Sequence, residues 1–328
     1  MKTGVLHLVD SLEIGGAERM AVNLANGLTR AQFLPHLCAT RLGGPLRKEL
    51  APDVQYLSLN RRARLDLPAL WHLINYIRQN RIRLIHAHGT ALFIASLTKR
   101  LCPESRLIWH IHAGALLNQD QLRIVYRFLT PNVDAILAVT RALANWAKTS
   151  LRFPANRVWY APNFILTNPY EATKTVELPG TAGFRLVCVA NIRPPKDHIT
   201  LLRAFKYVVE AEPRARLILV GAEGESTYAR NVWAERDALQ LDGQVFWLGK
   251  CDNVLSILSA CDIGVLSSRS EGFPLTLLEY GAASLAVVAT QVGECPEILD
   301  YGNAGALTPP RDPSALAEAL MMLLTNAD

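Results

Sequence analysis

The feature that most constrains this chain is a rhythm: short β-branched runs alternate with longer amphipathic stretches, and the alternation breaks once. In the first half, residues 5–9, 35–40, 54–59, 84–88, 107–112, 135–140 and 158–161 read as strands. Helical stretches lie between most of them, at 17–29, 68–80, 91–101, 122–129 and 142–151. Residues 164–183 then interrupt the pattern with Pro169, Pro179, Gly180, Gly183 and four threonines. The rhythm resumes with strands at 184–191, 216–221, 245–248, 263–266 and 285–289, and helices at 200–211, 228–239, 254–260, 274–283 and 314–324. Successive strand–helix–strand units build parallel sheets covered on both faces. The expected fold is therefore α/β, with two Rossmann-like doubly wound domains at 1–165 and 184–328 and a linker at 166–183. Ligands of such sheets bind at the carboxyl ends of the strands, so the two domains are expected to face each other across a cleft. No repeat of 20–50 residues interrupts this reading.

Of the 328 residues, 50% are hydrophobic and 19% charged, enough to bury a substantial core and to exclude a disordered chain. No apolar run reaches the ~18 residues of a membrane span. The first apolar stretch is cut by His7 and reads as a buried strand, not a signal peptide. The cysteines at 38, 102, 188, 251, 261 and 295 lie far apart with no Cys-x-x-Cys pair, as in a reduced, cytoplasmic protein. The net charge of +5 conceals an asymmetry. Residues 1–165 hold 21 Lys+Arg against 9 Asp+Glu (+12), and the remainder hold 13 against 20 (−7). Arg61, Arg62 and Arg64 precede the helix bearing Trp71, and Arg78, Arg81 and Arg83 follow it. An anionic membrane face is the expected partner of this half, reached from the cytoplasmic side. In the competing reading Leu70, Trp71, Ile74 and Ile77 face the sheet and the arginines form a solvated rim. No recognition motif supports nucleic acid.

Three segments at strand ends carry chemistry. Residues 268–282 contain Glu271, Gly272, Phe273 and Pro274 in a turn after strand 263–266, then Leu275, Thr276 and Glu279 in a helix. The first-turn amides of Leu275 and Thr276 suit an anion, and a carboxylate on either side suits sugar hydroxyls. A capped helix with two solvated glutamates explains the same spacing. Residues 191–197 set Arg193 and Lys196 around two prolines, either as a clamp for two phosphates or as a solvated basic turn. Gly15 and Gly16 open a helix after the first strand and permit close approach of a ligand, although Gly-x-Gly-x-x-Gly is absent. Two His-x-His pairs, His86/His88 and His110/His112, end neighbouring strands with each pair on one face. Four converging imidazoles could bind zinc; otherwise they line the cleft or pack beneath its loops.

In this order and at these strand ends, the segments resemble retaining glycosyltransferase family 4 with the GT-B fold. The resemblance covers nearly the whole chain, and its most specific element is Glu-x7-Glu from Glu271 to Glu279. It implies a hexosyltransferase that moves sugar from a nucleoside diphosphate sugar to a glycan or polyprenyl-diphosphate-linked acceptor in cell-surface polysaccharide or glycolipid assembly. By position, Glu271 would contact the donor sugar, Glu279 the ribose, and Arg193 and Lys196 the diphosphate with the Leu275 and Thr276 amides. Phe273 would sit in the same donor turn, and Gly15 and Gly16 would shape the wall near the phosphates. His112 would stand near the reacting sugar, with His88 and Gly89 on the acceptor side. No Asp-x-Asp occurs, so neither a metal nor another cofactor is expected. An epimerase of sugar nucleotides on the same fold, or a non-catalytic nucleotide-sugar-binding protein, are the competing classes. Three positions depart from the family pattern: Phe164 and Asp197 stand where glycine is usual, and Glu294 replaces the second glycine of Gly-Gly-x-Pro-Glu. Family members also continue beyond the equivalent of Asp328 through a helix returning to the first domain, which implies looser domain coupling or a shortened chain.

Overall fold

The computed structural model describes residues 2–63, 65–112, 120–166, 176–224, 227–251 and 253–325. The chain divides into two units, Met1–Leu166 and Thr167–Asp328.

Unit 1 runs β1 (Thr3–Ser11), α1 (Gly16–Gly27), β2 (Phe33–Leu42), β3 (Gln55–Ser58), α2 (Leu67–Gln79), β4 (Ile82–His88), α3 (Leu92–Leu101), β5 (Arg106–Ile111), α4 (Asp120–Leu129), β6 (Ala135–Ala138), α5 (Arg141–Thr149) and β7 (Val158–Tyr160). Its sheet has the order β3-β2-β1-β4-β5-β6-β7, with every pairing parallel. Helices cover both faces, so β1 is buried along its run: Val5, Leu6, Leu8 and Val9 are at most 2% exposed. Local chemistry starts the helices where the sequence places them. Asp66 accepts the Ala69 amide (3.1 Å) ahead of Pro68 in α2, and Thr140 accepts the Leu143 amide (3.0 Å) at α5.

Unit 2 runs β8 (Arg185–Val189), α6 (His198–Ala211), β9 (Arg216–Val220), α7 (Thr227–Ala238), β10 (Val245–Gly249), α8 (Val254–Leu258), β11 (Ile263–Leu266), α9 (Leu275–Ala282), β12 (Ala286–Thr290), α10 (Cys295–Ile298), β13 (Ala306–Thr308) and α11 (Pro313–Thr325). Its parallel sheet has the order β10-β9-β8-β11-β12-β13. Side-chain alternation splits the core. Leu186 and Cys188 join Leu201, Phe205, Leu316 and Leu320 under α6 and α11, whereas Val187 joins Ile257, Leu277 and Tyr280 under α8 and α9. β13 and α10 escape a periodicity reading because three and four residues are too short to show one.

Two sequence expectations change on this scaffold. Arg61 is not part of an exposed basic rim: it is 5% exposed and pairs with Asp10 (Nη2–Oδ1 3.2 Å). α2 buries Ile74 and Ile77 as the sheet-facing reading required, but Trp71 is 61% exposed. Arg64 and residues 167–175 of the linker lie outside the described residues. All six cysteines are free thiols, and no described helix is long and apolar enough to cross a membrane.

Candidate functional site

In unit 2 the strand order reverses between β8 and β11, and loops leaving such a pair border the ligand crevice of a doubly wound sheet. Four contacts stitch these two loops together. Ser267 Oγ donates to the Lys196 carbonyl (3.0 Å), and the Arg269 amide donates to the Pro195 carbonyl (2.7 Å). The Arg269 guanidinium donates to Asp197 Oδ1 (2.6 Å), and Lys196 Nζ donates to Glu271 Oε1 (2.5 Å). Ser268 Oγ donates to that same Glu271 oxygen at 2.6 Å, and among the described residues nothing bonds Oε2. One side of a largely buried carboxylate is thus fixed, and its other oxygen remains available as an acceptor.

Asp197 explains its own departure from glycine. Its φ is +49°, in the left-handed region that short polar residues tolerate, and its carboxylate caps α6 by accepting the Thr200 amide at Oδ1 (3.5 Å), while Oδ2 accepts Thr200 Oγ1 (2.7 Å). Burial alone would raise this carboxyl. Hydrogen bonds from Arg269 and Thr200, with the Arg269 charge, outweigh burial and hold it below the usual carboxylate range.

Pro274 is the N-cap of α9, one position earlier than a first-turn proline, and it offers no side-chain cap. The amides of Leu275 and Thr276 therefore open the helix without a capping side chain at Pro274. α9 is pinned to the sheet by Thr276 Oγ1, which donates to the Val189 carbonyl (3.2 Å), and by Tyr280 Oη, which accepts the Val189 amide (2.9 Å). Glu279 is half-buried within α9, and Phe273 half-buried in the turn before it. The following loop closes over this turn, where the Glu294 amide donates to the Gly272 carbonyl (3.0 Å). Arg193 is exposed, so the structure brings Lys196 alone to Glu271.

In unit 1 the order reverses between β1 and β4. Gly15 is the N-cap of α1 with no side-chain cap, and a methyl group at Gly16 would meet nothing within 4 Å. Gly89, at φ +54°, follows β4, and its carbonyl accepts Trp109 Nε1 (3.0 Å). Asp10, which sequence reasoning missed, gathers this end of the sheet by accepting Thr40 Oγ1 (2.7 Å), Thr90 Oγ1 (2.5 Å) and Arg61.

The histidines do converge, with a fifth member. The parallel register pairs His7 with His86 and His88 with His110, so both His-x-His pairs and His7 share one sheet face. Ring centroids lie 4.1 Å apart for His110/His112, 4.5 Å for His86/His88 and 5.0 Å for His7/His86. His88 is the hub, with Nε2 3.3 Å from His7 Nδ1 and Nδ1 3.0 Å from His112 Nε2. Burial, reinforced for most of them by neighbouring imidazoles, keeps all five rings neutral, with His86 near 4 and His112 near 3. Ring nitrogens of His7, His86 and His88, and of His88, His110 and His112, lie close enough to hold a metal ion.

Residues 14–168 match the model described as Glycosyltransferase Family 4, and residues 183–326 that described as Glycosyl transferases group 1. The chain belongs to this glycosyltransferase family. It is 26% identical over 274 residues to N-acetyl-alpha-D-glucosaminyl L-malate synthase of Bacillus anthracis, covering 80% of this chain and 71% of that one. The lipopolysaccharide core biosynthesis mannosyltransferase LpcC of Rhizobium leguminosarum bv. viciae is 26% identical over 201 residues, covering 59% and 55%. Among solved structures, Anabaena Alr3699/HepE in complex with UDP and glucose superposes with a TM-score of 0.80 at 20% identity, covering 99% of this chain and 90% of that one. That likeness extends the two-sheet architecture to the GT-B fold.

Proposed function

We propose that this family member is a retaining, metal-independent hexosyltransferase whose donor is a nucleoside diphosphate sugar held by unit 2. The observation that carries the reading is Glu271, one oxygen fixed by Lys196 and Ser268, beside the uncapped start of α9 and eight residues before Glu279. In this reading Glu271 accepts from donor sugar hydroxyls and Glu279 from the ribose. Lys196, Arg193 and the Leu275 and Thr276 amides stabilise the departing diphosphate, work that elsewhere falls to a divalent ion. The leaving phosphate helps to deprotonate the attacking hydroxyl on the same face, so neither glutamate serves as a covalent nucleophile. UDP and glucose bound to the similar HepE structure make UDP-glucose the first donor to test.

The acceptor side is assigned to unit 1, with His88 and Gly89 on that side and His112 near the reacting sugar, and its substrate to a glycan or polyprenyl-diphosphate-linked glycan of cell-surface polysaccharide assembly. The lipopolysaccharide-core relative supports that setting. Peripheral attachment to the inner membrane face is drawn better to α4 than to Arg61. α4 buries Tyr126 but exposes Ile124 (59%) and Phe128 (76%), each next to an exposed arginine, Arg123 and Arg127.

The deciding experiment compares Glu271→Ala with Glu279→Ala. Glu279→Ala should weaken UDP binding by about 1–3 kcal/mol, the worth of a charge-assisted hydrogen bond. Glu271→Ala should lower transfer to an added acceptor far more than it lowers UDP affinity. Unchanged UDP affinity in Glu279→Ala refutes the assignment, and donor interconversion without an acceptor replaces transferase by epimerase.

A further inference from the structure

The two central strands of unit 2 do not stay paired to their carboxyl ends. β8 runs beside β9 along its whole length, Arg185 to Val189 against Arg216 to Val220. It pairs with β11 only at Leu186 and Val187, opposite Ile263 and Gly264. Beyond that point α9 supplies the partners. The hydroxyl of Tyr280 lies between the strands, where it accepts the Val189 amide of β8 (2.9 Å). Its own proton faces the Val265 carbonyl of β11 (3.1 Å) and the Val187 carbonyl of β8 (3.3 Å). A parallel ladder joins amide to carbonyl directly; here a side-chain oxygen is inserted between them. One helical turn earlier, Thr276 Oγ1 donates to the Val189 carbonyl (3.2 Å). Both polar groups of Val189 are thus held by α9, at positions four apart on one helix face.

The wedge is built and enclosed. Tyr280, Val187 and Val265 are all 0% exposed, so water cannot stand in for the hydroxyl. Burial also holds the Tyr280 pKa well above the usual tyrosine value, so the oxygen keeps its proton. The ring crosses β11 at the one residue without a side chain. A methyl group on Gly264 would lie 2.5 Å from Tyr280 Cδ2 and 2.6 Å from Cγ, closer than side-chain carbons pack.

The splayed strand ends are those where the strand order reverses, and α9 is the helix whose start borders that crevice. We infer that Tyr280 is a positioning residue: its hydroxyl, wedged between the ends of β8 and β11, seats α9 so that the Leu275 and Thr276 amides and Glu279 are held where the nucleotide binds. α9 is a short, rigid element of eight residues, so fixing two of its turns on Val189 fixes its start as well. Apolar packing alone does not account for the arrangement, since a phenylalanine would fill the same space beside Val187, Ile257 and Leu277. That a nucleotide occupies the crevice rests on the function proposed above; the seating of α9 does not.

The test compares Tyr280→Phe, which keeps the ring and removes the oxygen, with Leu320→Ala, a core change in the cluster on the other face of the sheet. In 1H–15N spectra of the full chain, the Leu275 and Thr276 amide signals should move in Tyr280→Phe and hold in Leu320→Ala. UDP affinity should fall about tenfold or more in Tyr280→Phe, the worth of one hydrogen bond to a charged group, and stay within about twofold in Leu320→Ala. The control is stringent, because truncating a buried leucine costs at least as much stability as losing one hydroxyl. Thr276→Val removes the other tie but keeps its amide; it should shift the Leu275 signal and weaken UDP in the same direction, and it carries the test if Tyr280→Phe does not fold. Unmoved Leu275 and Thr276 signals in Tyr280→Phe overturn the inference. So do moved signals with unchanged UDP affinity, or an equal loss of affinity in Leu320→Ala. Failure of the unaltered protein to bind UDP, ADP, GDP or dTDP faults the function proposed above, and the amide signals then still decide whether Tyr280 seats α9.

Discussion

At Gly293 the backbone has φ +56°, and a methyl group there would lie 2.4 Å from the Glu271 carbonyl oxygen and 2.6 Å from that of Gly272. Side-chain carbons essentially never approach closer than 3.0 Å, so in Gly293→Ala the Glu271 carbonyl must retreat by at least 3.0 − 2.4 = 0.6 Å. The left-handed backbone adds about 1–2 kcal/mol of strain for alanine. The stiffer unfolded chain offsets about 0.4–1 kcal/mol, and forced overpacking costs about 1–3 kcal/mol more. The net expectation is a loss of roughly 1–5 kcal/mol of unit 2 stability, read from urea unfolding. Function should suffer beyond this, because the displaced turn carries Glu271 and its contacts with Lys196 and Ser268. A misplacement near 1 Å costs on the order of 10²-fold, so UDP release from UDP-glucose with acceptor should fall about tenfold or more in kcat/KM. Gly16→Ala is the control: a methyl group there meets nothing, so stability should hold while donor use falls. Gly293→Ala with the unfolding midpoint and kcat/KM of the unaltered protein would refute the claim that this glycine seats the Glu271 turn.

Three further outcomes are expected. Turnover should persist in excess chelator if, as proposed, Lys196 and the α9 amides supply the stabilising charge; loss of turnover restored only by added divalent ion contradicts this. Asp197→Asn should keep the left-handed turn but weaken unit 2 by about 1–3 kcal/mol at neutral pH through loss of the charge-assisted bonds from Arg269. Because the folded pKa of Asp197 is depressed, its contribution is full above the unfolded value of about 3.9 and fades as pH falls through the folded one; the acid limb of the stability curve should flatten in Asp197→Asn. Ile124→Ser with Phe128→Ser should reduce cosedimentation with anionic vesicles at low salt, whereas an equivalent loss with neutral vesicles would point to nonspecific adhesion instead.

The residues around the β8 and β11 loops could be singled out one by one in the sequence, and their partnerships could not. The turn and helix around Glu271 and Glu279 announce themselves through Gly272, Pro274 and the apolar strand before them, all local signals. Pairing Lys196 with Glu271 depends on β8 and β11 being neighbours across 75 residues of chain, which follows from strand order. Asp197 looked like a defect beside Lys196 until its αL backbone, its cap on α6 and its bond to Arg269 gave it three structural roles. Arg61 looked like surface charge because its neighbours are basic, and it was drawn inside by Asp10, half a sheet away in sequence.

By itself the sequence determined the alternation of elements, and with it the parallel sheets, the helices on both faces and the carboxyl-end loops where ligands bind. Those properties are local or periodic, and a strand or helix writes its period into the residues that form it. The five-histidine row belongs to the tertiary structure. His86/His88 and His110/His112 each show a shared face through a two-residue step, but only the register of β1 on β4 and of β4 on β5 sets His7 beneath His88 and His88 against His112. A slip of one residue in any of these strands would have sent its rings to the opposite face from the others, because side chains alternate along a strand and nothing in a single strand's sequence fixes how it aligns with its neighbour.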